Sequence, residues 1–139
     1  MILIDTSGLL SAMFADQQHH EACAKALREA GWPRILSPYV LAEADYLILK
    51  YGGVDAELAF LNEVARGAYA LPFFDNHEIQ HAHAVALKYR NLKIGLADAS
   101  LVVLAARYNC GDILTLDERH FRAIKAPGRR HFRILPADA

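Results

Sequence analysis

The alternation of short apolar runs with helical stretches constrains this chain more than any other feature. The runs are "ILID" at 2–5, "RILS" at 34–37, "ALPFF" at 70–74, "DILTL" at 112–116 and "FRILP" at 132–136. Strands separated by helices favour parallel pairing, with helices packed on both faces of the sheet. Right-handed crossovers then bring the C-terminal end of every strand, and the start of each following helix, to one edge. Ligands bind in that edge's crevice, at the point where the strand order reverses. Whatever ends a strand in such a fold points into the site.

The intervening segments carry their own helix punctuation. "SPYVLAEADYLILKYGG" has Ser37 as N-cap, Pro38 at the first helical position and Gly52 as a stop. "VDAELAFLNEVARG" repeats Val54, Leu58, Leu61 and Ala65 at helical spacing. "DNHEIQHAHAVALKYRN" opens on Asp75 with Glu78 three residues on, close to a capping box. "LADASLVVLAARYN" is apolar nearly all round, which predicts a central buried helix over 97–109. With no repeat, low-complexity tract or linker, the 139 residues read as a single domain, 1–139, long enough to bury a real core.

Composition closes off other classes. A hydrophobic fraction of 54% with 22% charged residues excludes disorder. No run of about 18 uninterrupted apolar residues predicts a membrane span, and no secretory signal is visible, so a cytoplasmic protein is expected. Cys23 and Cys110 have neither metal spacing nor a disulfide framework and read as buried free thiols.

Four acids stand out against this frame. Asp5 ends the first strand, Asp117 follows "DILTL", and Asp98 sits in the first turn of the buried helix. Topology alone sends these three to one edge. Glu43 lies about a turn and a half into its helix, roughly 8 Å along the axis, so only a long side chain reaches back. Glu43 and Asp45 are about 200° apart on the helical wheel, so at most one faces the site and the other is solvated. Singly, each acid has a structural explanation: Asp5 and Asp117 as helix caps, Asp98 as a dipole partner, Glu43 as a surface residue. Together they raise one another's pKa values, and Arg119 is their one basic neighbour in sequence. A hard divalent cation resolves the conflict; Mg²⁺ takes oxygen ligands, and Mn²⁺ suits the same set.

A charge asymmetry adds a second hint. Residues 119–133 hold Arg119, Arg122, Lys125, Arg129, Arg130 and Arg133 with no acid, although the whole chain has a net charge of −1. Such a stretch suits a polyanion path, or an ordinary solvated turn.

"MILIDTSGLL", "SPYVLAEADYLI", "GLADASLVVLAARY" and "ILTLDERHFRAI" together resemble the PIN-domain family, specifically the VapC-type toxins of bacterial toxin–antitoxin pairs. The likeness runs from residue 1 to about residue 136. It implies a PIN-type three-layer α/β/α sandwich around a central parallel sheet of four to five strands. It also implies a metal-dependent endoribonuclease that cuts transfer RNA or a ribosomal RNA loop and is neutralised by a cognate VapB-like antitoxin. Carried over residue by residue, Asp5, Glu43, Asp98 and Asp117 are the catalytic acids, the likeness selecting Glu43 over Asp45. Asp5, Asp98 and Asp117 are the expected metal residues, the first two as direct ligands. Glu43 and Asp117 act largely through metal-bound waters or complete a second metal position. Thr6, Ser7 and Thr115 match supporting hydroxyls. Arg119, Arg122, Lys125, Arg129 and Arg130 are candidate RNA contacts, Arg119 alternatively pairing with the acids. His120 is expected to pack or to face solvent. The helices of "VLAEADYLIL" and "VDAELAFLNEVAR" offer apolar surface for a homodimer or for the antitoxin.

Other readings are weaker. "HEIQH" at 77–81 formally satisfies the metalloprotease pattern, but no downstream third ligand is identifiable. A haloacid-dehalogenase-like phosphatase needs an acid where Ser7 stands, and a phosphoreceiver needs a lysine after a late strand. A non-catalytic RNA- or partner-binding module of the same fold does not require so costly a negative pocket.

Overall fold

β1 (Ile2–Ile4) is buried along its whole length because it lies between two parallel neighbours. β2 (Arg34–Leu36) pairs with one edge in the register Ile2↔Arg34 and Ile4↔Leu36. β3 (Asp112–Leu114) pairs with the other, Leu3 opposite Ile113 and Ile4 opposite Leu114. β4 (Arg133–Leu135) closes the parallel sheet beside β3, giving the order β2-β1-β3-β4. The computed structural model describes residues 1–126, 128 and 131–139. Arg129 and Arg130, expected among the RNA contacts, lie outside the described residues.

Seven α-helices among the described residues connect and cover these strands. α1 (Thr6–Met13) and α2 (His20–Glu29) join β1 to β2. α3 (Pro38–Gly52), α4 (Val54–Ala65), α5 (Asn76–Lys88) and α6 (Leu96–Tyr108) return the chain to β3. α7 (Glu118–Ala123) leads to β4. The chain moves one way from β1 to β2 and the other way from β2 to β3, so right-handed crossovers place the two helix sets on opposite faces. This is the expected three-layer α/β/α sandwich. The strand order reverses between β1 and β3, and the crevice opens there.

Burial follows the apolar runs. Ile2, Leu3, Ile4, Ile35, Leu36, Ile113 and Leu114 are fully enclosed, each worth about 1.5–3 kcal/mol against exposure. In α6 every residue from Ala99 to Ala105 is buried, as the all-round apolar pattern predicts. Cys23 and Cys110 are free and buried.

Three local expectations need correction. "ALPFF" is no fifth strand: Ala70 makes one parallel bridge to Ile35, exchanging hydrogen bonds with Arg34 and Leu36. Pro72 has no N–H to continue a ladder, and Phe73 is 88% exposed. α3 extends through Gly52, and the turn falls one residue later, at Gly53 with φ 85°. Asp75 does cap α5, accepting from the N–H groups of His77 and Glu78. The Glu78 side chain, however, pairs with Arg107 of α6 at 2.8 Å rather than completing a capping box.

Candidate active site

Asp5 leaves β1 in extended conformation, and its backbone N–H donates to Leu114 O at 3.0 Å across the switch point. The N-cap position before α1 is therefore Asp5, but its carboxylate caps nothing. Instead Oδ2 accepts from Thr115 Oγ1 at 2.6 Å and from Ser7 Oγ at 3.1 Å. Each hydroxyl spends its proton on Asp5 and uses its oxygen to accept a backbone N–H. Leu116 N–H donates to Ser7 at 3.0 Å, and Asp117 N–H donates to Thr115 at 2.9 Å. Two hydroxyls thus lock the loop after β3 to the acid after β1. Thr6, the third expected hydroxyl, behaves differently: its Oγ1 is buried without a hydrogen bond among the described residues, beside the same cleft.

Asp98 stands third in α6, and Glu43 projects from α3. A buried chain of hydroxyls pins these helix starts together. Ser100 Oγ donates to Ala97 O at 2.6 Å, Ser37 Oγ lies 2.6 Å from Ser100 Oγ, and Tyr39 N–H donates to Ser37. The Ser37 cap therefore does more than end β2; it sets the α3 rim against the α6 rim. Asp45, on the far side of α3, is not freely solvated. It turns toward α4, where it raises the pKa of Glu57 by hydrogen bonding and like charge, and its Oδ1 is buried.

Asp5, Glu43, Asp98, Asp117 and His120 line one open cleft of about 630 Å³. Among the described residues no lysine or arginine lines it. His120 is the residue the sequence reading undervalued. Its Nδ1 lies 3.1 Å from Asp98 Oδ2 and 3.0 Å from Asp117 Oδ2, with the side chain 21% exposed. Asp117 caps α7 as its position suggests, Oδ1 accepting from His120 N–H at 3.1 Å. The spacing of three from a cap was a signal that the ring returns to the cap's own face, but its meeting with Asp98 is tertiary.

A PIN-domain model matches residues 2–127. Ribonuclease VapC26 of Mycobacterium tuberculosis is 44% identical over 135 residues, spanning 97% of this chain and 100% of that protein. The chain belongs to the PIN-domain family. Within it the chain falls in the VapC branch, as the motifs implied. Two solved structures share the fold. Mycobacterium tuberculosis VapC20, described as a Sarcin-Ricin loop cleaving toxin, superposes with a TM-score of 0.77 at 15% identity, over 84% of this chain and 90% of that one. Rickettsia felis VapBC2 bound to a promoter DNA fragment gives 0.64 at 17% identity, over 89% and 93%.

The electrostatics of this PIN cleft are those of crowded acids. Burial raises the Asp5 carboxyl from the ordinary 3.8 to about 6; the Thr115 hydroxyl opposes this, and the Asp98 charge adds to it. Asp98 is also raised, by burial first, with His120 opposing and Asp117 and Glu43 adding. A group at the cleft that carries positive charge reverses every one of these penalties. The donor set fits a divalent cation: the ligand atoms of Asp98, Asp117 and His120 all lie within 4.8 Å of one another. Asp5 is outside that tight trio.

The Asp5 shift fixes the sign of a pH effect in metal-free protein. The folded state holds the proton more tightly than the unfolded chain. The stability contribution is thus full below pH 3.8 and is lost as pH rises through about 6. The loss is about 3 kcal/mol in total. Urea denaturation in EDTA across this window is expected to show it, and Asp5→Asn to remove that part of the slope. Equal slopes in both proteins would discard the buried-charge account.

The basic candidates separate. Arg119 is exposed on α7 and makes no ion pair among the described residues, so His120, not Arg119, meets the acids. Arg122 is held by Glu118 at 3.0 Å and by Asp138 at 2.7 Å, which keeps its charge on the protein. Lys125 is exposed, its backbone N–H donating to Tyr89 Oη. His77 and His81 meet at a tilt of 56° with ring centroids 4.6 Å apart on the exposed side of α5, and neither lines the cleft.

Proposed function

We propose that this chain is a divalent-cation-dependent endoribonuclease toxin, cutting a phosphodiester in a structured RNA loop by attack of water. The carrying observation is that acids from four separate segments converge on one cleft that no described lysine or arginine lines. Pure RNA binding would place cations there. A bound Mg²⁺ or Mn²⁺ would supply an activated water and Lewis-acid stabilisation of the phosphoryl oxygen.

The protein's own parts divide the rest. Asp98 and Asp117 line the cleft, each with its Oδ2 about 3 Å from His120 Nδ1. Asp5, deeper and held by Ser7 and Thr115, completes the negative wall. Glu43 is exposed and lines the same cleft, which supports a role in orienting water at the scissile phosphate. Arg119 and Lys125, both exposed, hold the flanking backbone. Single-stranded loops offer splayed bases that such an open cleft admits. The relatives support a cognate VapB-like antitoxin as partner. The exposed Tyr46, Tyr51, Val54 and Leu58 of α3 and α4 support an apolar interface, with that partner or in a homodimer. No helix among the described residues is long and apolar enough to cross a membrane, and a cytoplasmic RNA target is the corresponding expectation.

The test is cleavage of total RNA by purified chain with Mg²⁺, Mn²⁺ or EDTA, followed by mapping of the ends. Discrete cuts with 5′-phosphate and 3′-hydroxyl termini, abolished by EDTA, are expected. Cuts that persist in EDTA would reject the cation requirement. RNA retained without cleavage would favour a binding module.

A further inference from the structure

We infer that His120 is a nitrogen ligand to the cation of this cleft, making the site a mixed nitrogen–oxygen one that prefers first-row transition ions to Mg²⁺. The inference rests on the cation-dependent reading above and adds which residue selects the ion.

The geometry carries it. Neighbouring ligands in an octahedron of about 2.1 Å bonds stand about 3.0 Å apart. Nδ1 of His120 lies 3.0 Å from one carboxylate oxygen, on Asp117, and 3.1 Å from another, on Asp98. Both edges match those of adjacent positions around a small cation. Nδ1 is within hydrogen-bond distance of Asp98 Oδ2, but a single ring N–H cannot also point linearly at Asp117 Oδ2, which a ligand lone pair aimed at a shared ion does not require. With an ion bound, Nδ1 offers its lone pair and the ring proton sits on Nε2.

The ring is also held in place as a ligand must be. Asp117 Oδ1 accepts the His120 backbone N–H, which leaves Oδ2 toward the ring. The next residue, Phe121, is fully buried and packs edge-to-face on Phe132 with centroids 5.6 Å apart, anchoring α7. Thr6 lines the same cleft, and its buried Oγ1 has no hydrogen bond among the described residues, an orphaned polar atom beside the acids. Oxygen-only sites suit Mg²⁺, whereas an imidazole raises affinity for later first-row ions.

Mn²⁺ is the probe, with the full chain. Pulsed EPR of bound Mn²⁺ is expected to show a ¹⁴N coupling in wild type that is lost in His120→Gln. Growth on ¹⁵N-histidine must convert the wild-type coupling to ¹⁵N, a control that needs no variant to fold. Mn²⁺ affinity is expected to fall about tenfold in His120→Gln while Mg²⁺ affinity changes less than about twofold. Mn²⁺ bound without nitrogen coupling, yet lost in Asp98→Asn, overturns this inference alone and leaves the ring as a hydrogen-bond partner of Asp98. Wild type that binds no Mn²⁺, or binds it equally in Asp98→Asn, overturns the cation-dependent reading and this inference with it.

Discussion

Asp98→Asn is expected to lower RNA cleavage by about two to three orders of magnitude with the fold intact. The carboxamide keeps the shape of the side chain and removes the charge that faces His120, Asp117 and Glu43. In metal-free protein that charge is a burden: burial and two neighbouring acids all push the Asp98 pKa up. Neutralising it therefore relieves repulsion in the resting fold, and the melting temperature is expected to hold or rise slightly. The loss is confined to what the carboxylate does for a bound cation and a phosphate. Initial cleavage rates and thermal melts on the same preparations check both halves. A rate within tenfold of wild type would mean that Asp98 is dispensable to the chemistry. A large fall in melting temperature would mean that its role is structural.

Much of this site was legible because topology does the assembling. Any parallel α/β chain sends Asp5 and the residues after β3 to one edge, and Asp98 follows from the start of a helix that is apolar all round. The hydroxyl pattern was legible in kind: Ser7 and Thr115 do hold Asp5. Thr6 does not, because adjacent positions on a helix face different ways, and its oxygen has no hydrogen bond among the described residues. The strand at 70–74 was misread for a local reason. An apolar run looks the same whether or not its backbone can pair, and Pro72 limits pairing to the bridge at Ala70. His120 was underrated because its partners are Asp117, which is local, and Asp98, which no spacing in the sequence connects to it. Arg122 looked like part of a basic path until the fold brought Asp138 back to it; their pairing holds the Asp138 carboxyl down at about 2. Charge runs in sequence do not reveal which charges are already spent.

Gly8→Ala is expected to destabilise the protein by about 3 kcal/mol or more, lowering the melting temperature by roughly 10 °C. Gly8 lies in the first turn of α1, directly over the end of β3. A Cβ there would stand 2.5 Å from Leu114 O and 2.7 Å from Leu114 C and Cγ. Two of those atoms are backbone, in a fully buried residue of the sheet, so a change of rotamer cannot clear the space. α1 must lift away from β3. That movement strains the 3.0 Å bond from Asp5 N–H to Leu114 O and the Ser7 and Thr115 hydroxyl contacts around Asp5. Cleavage is expected to fall along with stability, because the same close approach that packs the helix also aims the first acid. Gly95→Ala is the matched control: its Cβ would meet nothing within 4 Å and its φ is −88°. Its melting temperature is expected within about 2 °C of wild type. Equal melting temperatures for the two variants would show that α1 tolerates a methyl at this contact, and the tight seat of α1 on β3 could no longer be what positions Asp5.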